Sequence, residues 1–488
     1  MRLPRFAVIR RALSYTIKSI ESMQVEHTEN YQSAIKALNG LQTNAQYIKN
    51  AANKPNIASK VQEVAKFLKR SGVSLEQLDK LSVIHVTGTN GKGTTCAYCE
   101  SILRNHGYKT GFFSSPHLLD VRERIRIDGK PISKSMFAKY FWKIYPLLDK
   151  QKVDSSDMPL YFRFLAVLAF HVFLEHEVDV AIIEVGIGGE YDCTNIIRNT
   201  AVVGITPLDM DHTSLLGNSL ESIAWNKSGI MKEGCLAFST KQPPNVLQVF
   251  QDRSLERKCS FKIVEENSYL ENNSYMPPHV RRTNASLALA LTEAFMSREK
   301  SKKKKFSLEL AKQSIEETRW PGRYEIKHFK GFRFYLDGAH TFDSICVCRD
   351  WFDSHTSIRN VKKCLIFNIT GERDPEMFFK ELGKCEFDAV IFIPNVGGEN
   401  DRSDTADFKL PEDKQLQRCE AYRLKWLTLE ELFEKRSETV CVKPSFSKAV
   451  EFLEISYNDC DILVTGSIHL IGAALSVLDP TLNGALNE

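Results

Sequence analysis

The sequence predicts an α/β protein of more than one domain, built mainly on parallel strands, and three observations carry that prediction. A β-rich run, Leu81-Ser-Val-Ile-His-Val86, stops at a glycine cluster, and helical periodicity resumes from Thr94 to His106. Strand, glycine turn and helix together form the entry to a parallel βα unit. The alternation recurs along the chain and restarts beyond a break at Trp320-Pro-Gly-Arg323. The length of 488 residues suggests about three domains at roughly 150 residues each, and two larger ones fit as well.

Taken in order, the first 25 residues stand apart. Arg2, Arg5, Arg10, Arg11 and Lys18 are interleaved with Leu3, Phe6, Val8, Ile9, Leu13 and Ile17, with no acid before Glu21. That is the pattern of a mitochondrial transit peptide; a solvated basic terminal helix is the competing reading. Met23 offers a second start, and with it a cytoplasmic form beside one in the mitochondrial matrix. Val61, Val64, Ala65 and Leu68 predict a helix over 58–71. Further on, 160–174 reads as helix, Val178 to Val185 as a buried strand, Gly186-Ile-Gly-Gly189 as a turn and Val202 to Thr206 as a strand. A polar loop at 209–214 leads to a helix over 219–227 with Ser219 as its cap. Near residue 298 the chain turns basic, with Lys302 to Lys305, before a helix over 307–318. Strands follow at 332–336, 361–368, 389–393 and 461–464, and 399–414 reads as a polar surface loop. The domains are accordingly placed at 30–318 and 325–488, with a hinge at 319–324.

Composition narrows the function classes. Lys plus Arg is 65 against 61 for Asp plus Glu, a net charge of +4, less than the basic excess of a dedicated nucleic-acid binder. No run reaches the roughly 18 apolar residues that a membrane span needs. The 12 cysteines are scattered, as in a reduced intracellular protein. Cys96 and Cys99 form a C-x-x-C with no second pair for zinc and read as small packing residues on one helix. Cys346 and Cys348 read as neighbours in a strand or helix.

Three groups of residues carry chemistry. Gly88-Thr-Asn-Gly-Lys-Gly-Thr-Thr95 follows a strand and opens a helix, so backbone N–H groups, a helix N-terminus and Lys92 can cradle phosphate. The strict Walker spacing fails, because Gly88 is too close and Gly93 separates Lys92 from Thr94. A tight glycine turn without ligand is the alternative. Ser115, Glu184 and His212 lie at expected strand ends, where ligands of open α/β sheets gather. A hydroxyl, a carboxylate and an imidazole could hold Mg²⁺ against phosphate; each also has an ordinary structural reading. Arg122, Arg124 and Arg126 alternate with Glu123, Ile125 and Ile127, which on a strand puts three guanidiniums on one face as a rail for carboxylates. A solvated strand face is the other explanation.

Together the motifs resemble the folylpolyglutamate synthase family, the folate branch of the Mur-type ATP-dependent amide ligases, in its eukaryotic form. The stretches that match are Leu41-Gln-Thr-Asn44, His85-Val-Thr-Gly-Thr-Asn-Gly-Lys-Gly93, Thr110-Gly-Phe-Phe-Ser-Ser-Pro-His-Leu118 and Arg122-Glu-Arg-Ile-Arg-Ile127. They continue with Tyr161-Phe-Arg-Phe164, Glu184-Val-Gly-Ile-Gly-Gly189, Tyr191-Asp-Cys-Thr-Asn195 and Asp211-His-Thr-Ser-Leu-Leu-Gly217. Trp320-Pro-Gly-Arg323, Asp337-Gly-Ala-His340 and Thr465-Gly-Ser467 complete the series in family order.

The resemblance implies a Mur-ligase-like fold: a P-loop N-terminal ATPase domain and a smaller, Rossmann-like α/β C-terminal domain, with the active site in the cleft between them. It implies that Gly88, Thr89, Asn90, Gly91, Lys92, Gly93 and Thr94 hold ATP phosphates, with Asn284, Arg323 and Asp337 as further nucleotide contacts. Ser115, Glu184 and His212 correspond to magnesium ligands. Lys227 matches a lysine that is carbamylated in some relatives, and its state in this chain stays open. His340 and Ser467 fall where incoming glutamate is handled, and Arg122 and Arg124 are assigned to substrate. The catalytic set is Lys92, His212, Lys227, Arg323 and His340. The implied cofactors are ATP and Mg²⁺, with a monovalent cation such as K⁺ a further candidate. The implied substrates are tetrahydrofolate polyglutamates and L-glutamate, and the chain is read as a monomer without nucleic-acid or integral membrane partners. Dihydrofolate synthase activity, an inactive nucleotide-binding protein and RNA binding through the lysine run are the rival functions. The expanded run at 302–305 departs from the family pattern.

Overall fold

The computed structural model describes residues 30–41, 59–154, 156–268, 276–298, 305–370, 373–398, 412–479 and 482. The leader at 1–25, Met23, Leu41-Gln-Thr-Asn44 beyond its first residue, Lys302 to Lys304 and most of 399–414 lie outside them. Only the end of the last segment is described, and there a helix begins at Glu412.

Two sheets organise the chain. The first contains β1 (Val83–Thr87), β2 (Thr110–Phe113), β3 (Ile125–Ile127), β4 (Lys130–Pro131), β5 (Val180–Glu184), β6 (Val202–Ile205), β7 (Leu236–Ser239) and β8 (Ser260–Ile263). Their order is β4-β3-β2-β5-β1-β6-β7-β8. From β2 to β8 every pair is parallel, and β3 and β4 are added antiparallel at one edge. β1 and β5 are buried along their whole length, which is why they read as unbroken apolar runs and show no alternation.

The helix α1 (Lys92–Asn105) packs on this sheet together with α2 (Pro278–Arg298), and Cys96, Cys99, Ile102, Ala288 and Leu291 are buried between them. Cys96 and Cys99 are packing residues, and burial drives both thiols upward in pKa. On the other face lies a helix over Tyr161–Glu175 that is buried from Phe164 to Phe173. Ser219 and Ser307 cap their helices by accepting from Ser222 N and Leu310 N, each at 3.2 Å.

The second sheet contains β9 (Glu325–Phe329), β10 (Phe332–Leu336), β11 (Lys362–Phe367), β12 (Ala389–Phe392), β13 (Thr439–Val442) and β14 (Cys460–Thr465) in the order β13-β12-β11-β14-β10-β9. Only β9, at the edge, is antiparallel. Cys346 and Cys348 lie on a helix over Phe342–Thr356. Among the described residues no helix is long and apolar enough to cross a membrane.

The arginine rail does not form. Val121–Arg124 is a 3₁₀ turn with Asp120 as its cap, and the strand begins only at Ile125. The capping box between Asp120 and Glu123 satisfies the turn's N–H groups, and it overrides the alternation that suggested a strand. Arg122 donates to Asp120 and to the Ile132 carbonyl at 3.1 Å, and Arg124 to His117 Nδ1 at 2.8 Å. Both are 2 % exposed. They brace the loop after β2 and do not line up as an open row.

Candidate active site

Strand order decides which loops meet. β1 lies between β5 and β6, with Val86 beside Glu184 and Thr87 beside Ile205. The carboxyl ends of β2, β5, β1 and β6 therefore deliver Ser115, Glu184, the Gly88–Gly91 turn and the 206–212 loop to one edge, as expected of a switch point in an α/β sheet. Ser115 N donates to Glu184 Oε2 at 2.9 Å.

The turn needs its glycines. Gly88 has φ 142° and Gly91 φ 87°, a region costly for residues with a Cβ. A Cβ on Gly88 would stand 1.8 Å from Thr206 Oγ1, and one on Gly91 2.1 Å from Asn284 Oδ1. Asn284, on α2, also accepts from Thr95 Oγ1 at 3.3 Å, so it buttresses the turn as well as facing its loop. The N–H groups of Thr89 and Asn90 both donate to the Pro207 carbonyl, at 3.0 and 3.1 Å. They hold the turn's shape in this state. The first N–H returned to α1 is that of Thr95, to Gly91 O at 2.9 Å. The N–H groups of Lys92, Gly93 and Thr94 therefore open the helix without intrahelical acceptors, which makes its N-terminus favourable for an anion. Lys92 Nζ lies over its own loop, 3.1 Å from Thr89 O.

Electrostatics mark the same edge. Burial pushes the Glu184 carboxyl up, against the pull of Lys92, Arg323 and Arg124. Lys227 is 4 % exposed, donates to Gly88 O at 2.6 Å and is held far below the ordinary lysine value by burial and by Lys92. His212 stands just before a short helix with φ 50°, and burial lowers its pKa to about 4, so the imidazole is neutral at physiological pH. A buried carboxylate, a neutral imidazole and a hydroxyl are chemically suited to a hard divalent cation. Among the described residues no three His, Cys, Asp or Glu side chains are gathered as a metal cluster. A metal here would need Ser115, water or phosphate oxygens as well.

The second sheet presents its own carboxyl edge opposite. β10 leads to Asp337, β14 leads through Gly466 to Ser467, and β11 leads to Arg373. Asn90 Nδ2 reaches Thr341 Oγ1 at 3.4 Å, and Arg373 Nη2 reaches Asp211 Oδ1 at 2.5 Å. His340 Nε2 is 3.8 Å and His212 Nε2 3.4 Å from Asp211 Oδ2. Burial works against the Asp211 charge, yet His212, Arg373 and His340 hold its carboxyl well below the usual range. The His340 ring is fixed by Gly338 O at 2.8 Å, and burial with Arg373 lowers its pKa to about 4.

Burial raises Asp337 to about 6, opposed by Arg323 and by the Tyr324 N–H, which donates at 3.0 Å. Arg323 lies against Gly338, where a Cβ would be 2.7 Å from its Nη1. The Ser467 hydroxyl caps the last helix by accepting from His469 N at 3.2 Å, so it is already engaged. Trp320 closes over Gly93: a Cβ there would meet the indole at 3.2 Å and Glu184 Oε2 at 3.5 Å.

Most of the predicted residues thus lie along two facing edges, while Arg122 and Arg124 are tied into the loop after β2. Asp211 and Arg373 are the residues that motif reading did not single out. Asp211 stood in a quoted motif next to His212, and Arg373 lies in Gly371-Glu-Arg-Asp-Pro375, whose partner only the fold reveals.

The chain is 42% identical over 469 residues to the mitochondrial folylpolyglutamate synthase of Bos taurus, spanning 88% of this chain and 79% of that protein. It is 37% identical over a 553-residue alignment to the mitochondrial folylpolyglutamate synthase of Homo sapiens, covering 94% and 93%. The fold is similar to that of folylpolyglutamate synthase from Thermotoga maritima, with TM-score 0.69, 22% identity and coverage of 94% and 99%. It is similar also to that of the Mycobacterium tuberculosis folylpolyglutamate synthase complexed with ADP and AMPPCP, with TM-score 0.69, 24% identity and coverage of 86% and 95%. No family model matches the chain. The α/β, mostly parallel, Mur-ligase-like architecture that the motifs imply is the architecture observed, and at these identities and coverages the chain belongs to the folylpolyglutamate synthase family.

Proposed function

We propose that this chain is an ATP-dependent ligase that adds L-glutamate in γ-linkage to tetrahydrofolate and its polyglutamates, releasing ADP and phosphate. The observation that carries the reading is the junction itself. Asp211, whose neighbour His212 feels the charge of Lys92, is bound there by Arg373 and faced by His340 from the opposite sheet. A nucleotide-binding protein without chemistry has no need of that second edge.

A carboxylate is a poor electrophile and must first become an acyl phosphate. Bringing the folate carboxylate to the γ-phosphate sets one anion against another, and Lys92 and Arg323 neutralise that approach. The N–H groups that open α1 orient the phosphates. Glu184, Ser115 and His212 would hold Mg²⁺, which when bound supplies further positive charge beside the phosphate oxygens. The amine of glutamate then attacks the acyl carbon and phosphate leaves. Arg373 is suited to the glutamate's own carboxylates, and the neutral His340, which donates its Nδ1–H to Gly338 O, leaves Nε2 able to accept the amine's proton. Arg122 and Arg124 act indirectly, by shaping the loop that carries Ser115. Asn284 and Asp337 support the nucleotide from either side.

The mitochondrial names of the bovine and human relatives support mitochondrial residence, and Met23 supports a cytoplasmic form. The test is incubation with tetrahydrofolate, ATP, Mg²⁺ and radiolabelled glutamate. Label is expected in products of growing tail length, with one ADP released per glutamate. Label carried only when dihydropteroate replaces tetrahydrofolate would overturn the assignment.

A further inference from the structure

β7 and β8 close the far side of the large sheet, and each is preceded by a cysteine. Leu236 pairs with Ser260 in register, and Ser260 N donates to Cys235 O at 3.1 Å. Cys235 and Cys259 therefore extend the parallel ladder by one position. Residues paired on neighbouring strands point to the same face with Cα atoms about 4.8 Å apart, inside the span of roughly 4.4–6.8 Å that a disulfide bridges. Both are free thiols within hydrogen-bonding reach of each other. Cys235 is 1 % exposed, while Cys259 is only half-buried. Lys232 N donates to Cys235 Sγ at 3.4 Å, and Lys232 and Arg298 add positive charge beside it. The cationic surroundings favour a thiolate at Cys235, and the partial exposure of Cys259 gives a small oxidant access to the pair.

We propose that Cys235 and Cys259 are a modification site, an oxidisable dithiol that a small peroxide converts to a disulfide joining β7 to β8. The Cys259 thiol bonds to Cys235, and this bond, with the nearby cationic side chains, favours the thiolate at Cys235. Cys259, the accessible sulfur, attacks one peroxide oxygen while its proton passes to the Cys235 sulfur. The O–O bond breaks, hydroxide leaves, and Cys259 becomes a sulfenic acid. Cys235 then attacks that sulfur, the S–O bond breaks, and the departing hydroxide takes the Cys235 proton as water. Two thiols are oxidised and one peroxide is reduced.

The chain contains its own control. Cys364 and Cys460 also lie within hydrogen-bonding reach, but they are offset in register, Cys364 facing Ile462 and Cys460 facing Lys362, and both are fully buried. They stay reduced under the same treatment.

The full-length protein is treated with hydrogen peroxide, blocked with iodoacetamide and mapped by mass spectrometry. The expected result is a cross-linked peptide pair carrying Cys235 and Cys259, lighter by two hydrogens, reversed by dithiothreitol and absent in Cys259→Ala. Tm is expected to rise on oxidation of the native protein and not of the variant. The catalytic loops leave the opposite ends of the strands, so glutamate ligation is expected to persist in the oxidised protein. The proposal is overturned if both cysteines are still alkylated at a peroxide concentration that oxidises glutathione in the same tube, or if the cross-link joins Cys364 to Cys460 instead.

Discussion

Arg373 Nη2 donates to Asp211 Oδ1 at 2.5 Å although 162 residues separate them. The two belong to different sheets, and this contact ties the loop after β6 to the loop after β11. Asp211 is 8 % and Arg373 24 % exposed at the side chain, so the pair is partly desolvated, and removing one partner strands the other charge.

Loss of a buried partner costs about 3–5 kcal/mol, which corresponds to a loss of roughly 10²–10⁴ in kcat/KM when the pair orders the reacting groups. Arg373→Ala is expected to lower kcat/KM for glutamate by about that amount while ADP binding, measured by calorimetry, is retained. Asp211→Asn is expected to do the same, and the double variant to fall well short of the summed losses, because both remove one interaction.

Lys92→Ala tests the phosphate turn. Among the described residues Lys92 hydrogen-bonds only to its own loop, at 3.1 Å, so Tm is expected to move by no more than about 2 °C, a change under ~1 kcal/mol. Ligation is expected to fall by about 10²–10³-fold, the range seen when one preorganised electrostatic contact is lost.

Gly91→Ala should instead damage stability. The residue has φ 87°, and the new Cβ would stand 2.1 Å from Asn284 Oδ1. The expected cost is about 1–3 kcal/mol for the left-handed backbone alone, read as a lower Tm together with weakened ATP binding.

Asp337 gives a pH dependence. Burial raises its pKa to about 6 in the folded protein against an ordinary 3.8, so the folded state binds the proton more tightly than the unfolded chain. Its contribution to stability is therefore greatest below pH 3.8 and declines as pH rises to about 6. Ionised Asp337 facing Arg323 is the form suited to catalysis, so kcat/KM is expected to climb with pH through about 6. In Asp337→Asn that limb should flatten, measured across pH 5–8 with ionic strength fixed.

Much of this was legible in the chain. The run before Gly88 announced β1 because a strand buried on both faces must be apolar throughout, and the glycines announced the turn because no other residue fits its φ values. Ser219 marked a helix start by cap chemistry that acts over three residues. Arg122 to Arg126 misled for the same local reason: alternation suggested a strand, while the Asp120–Glu123 capping box made a turn. β8 and β9 were missed because short edge strands with exposed positions carry little periodicity, and β7, between β6 and β8, because it is only 4 residues long.

By itself the sequence determined the α/β class, the glycine turn between β1 and α1 and the family, since each depends on spacing within a few positions or on motifs in a set order. Tertiary structure alone decided that Arg373 meets Asp211, that Asn284 buttresses Gly91, and that Arg122 and Arg124 are tied down. It also put Cys235 beside Cys259. Contacts between residues far apart in the chain depend on strand order and register, and on how two sheet edges face each other, which no local pattern encodes.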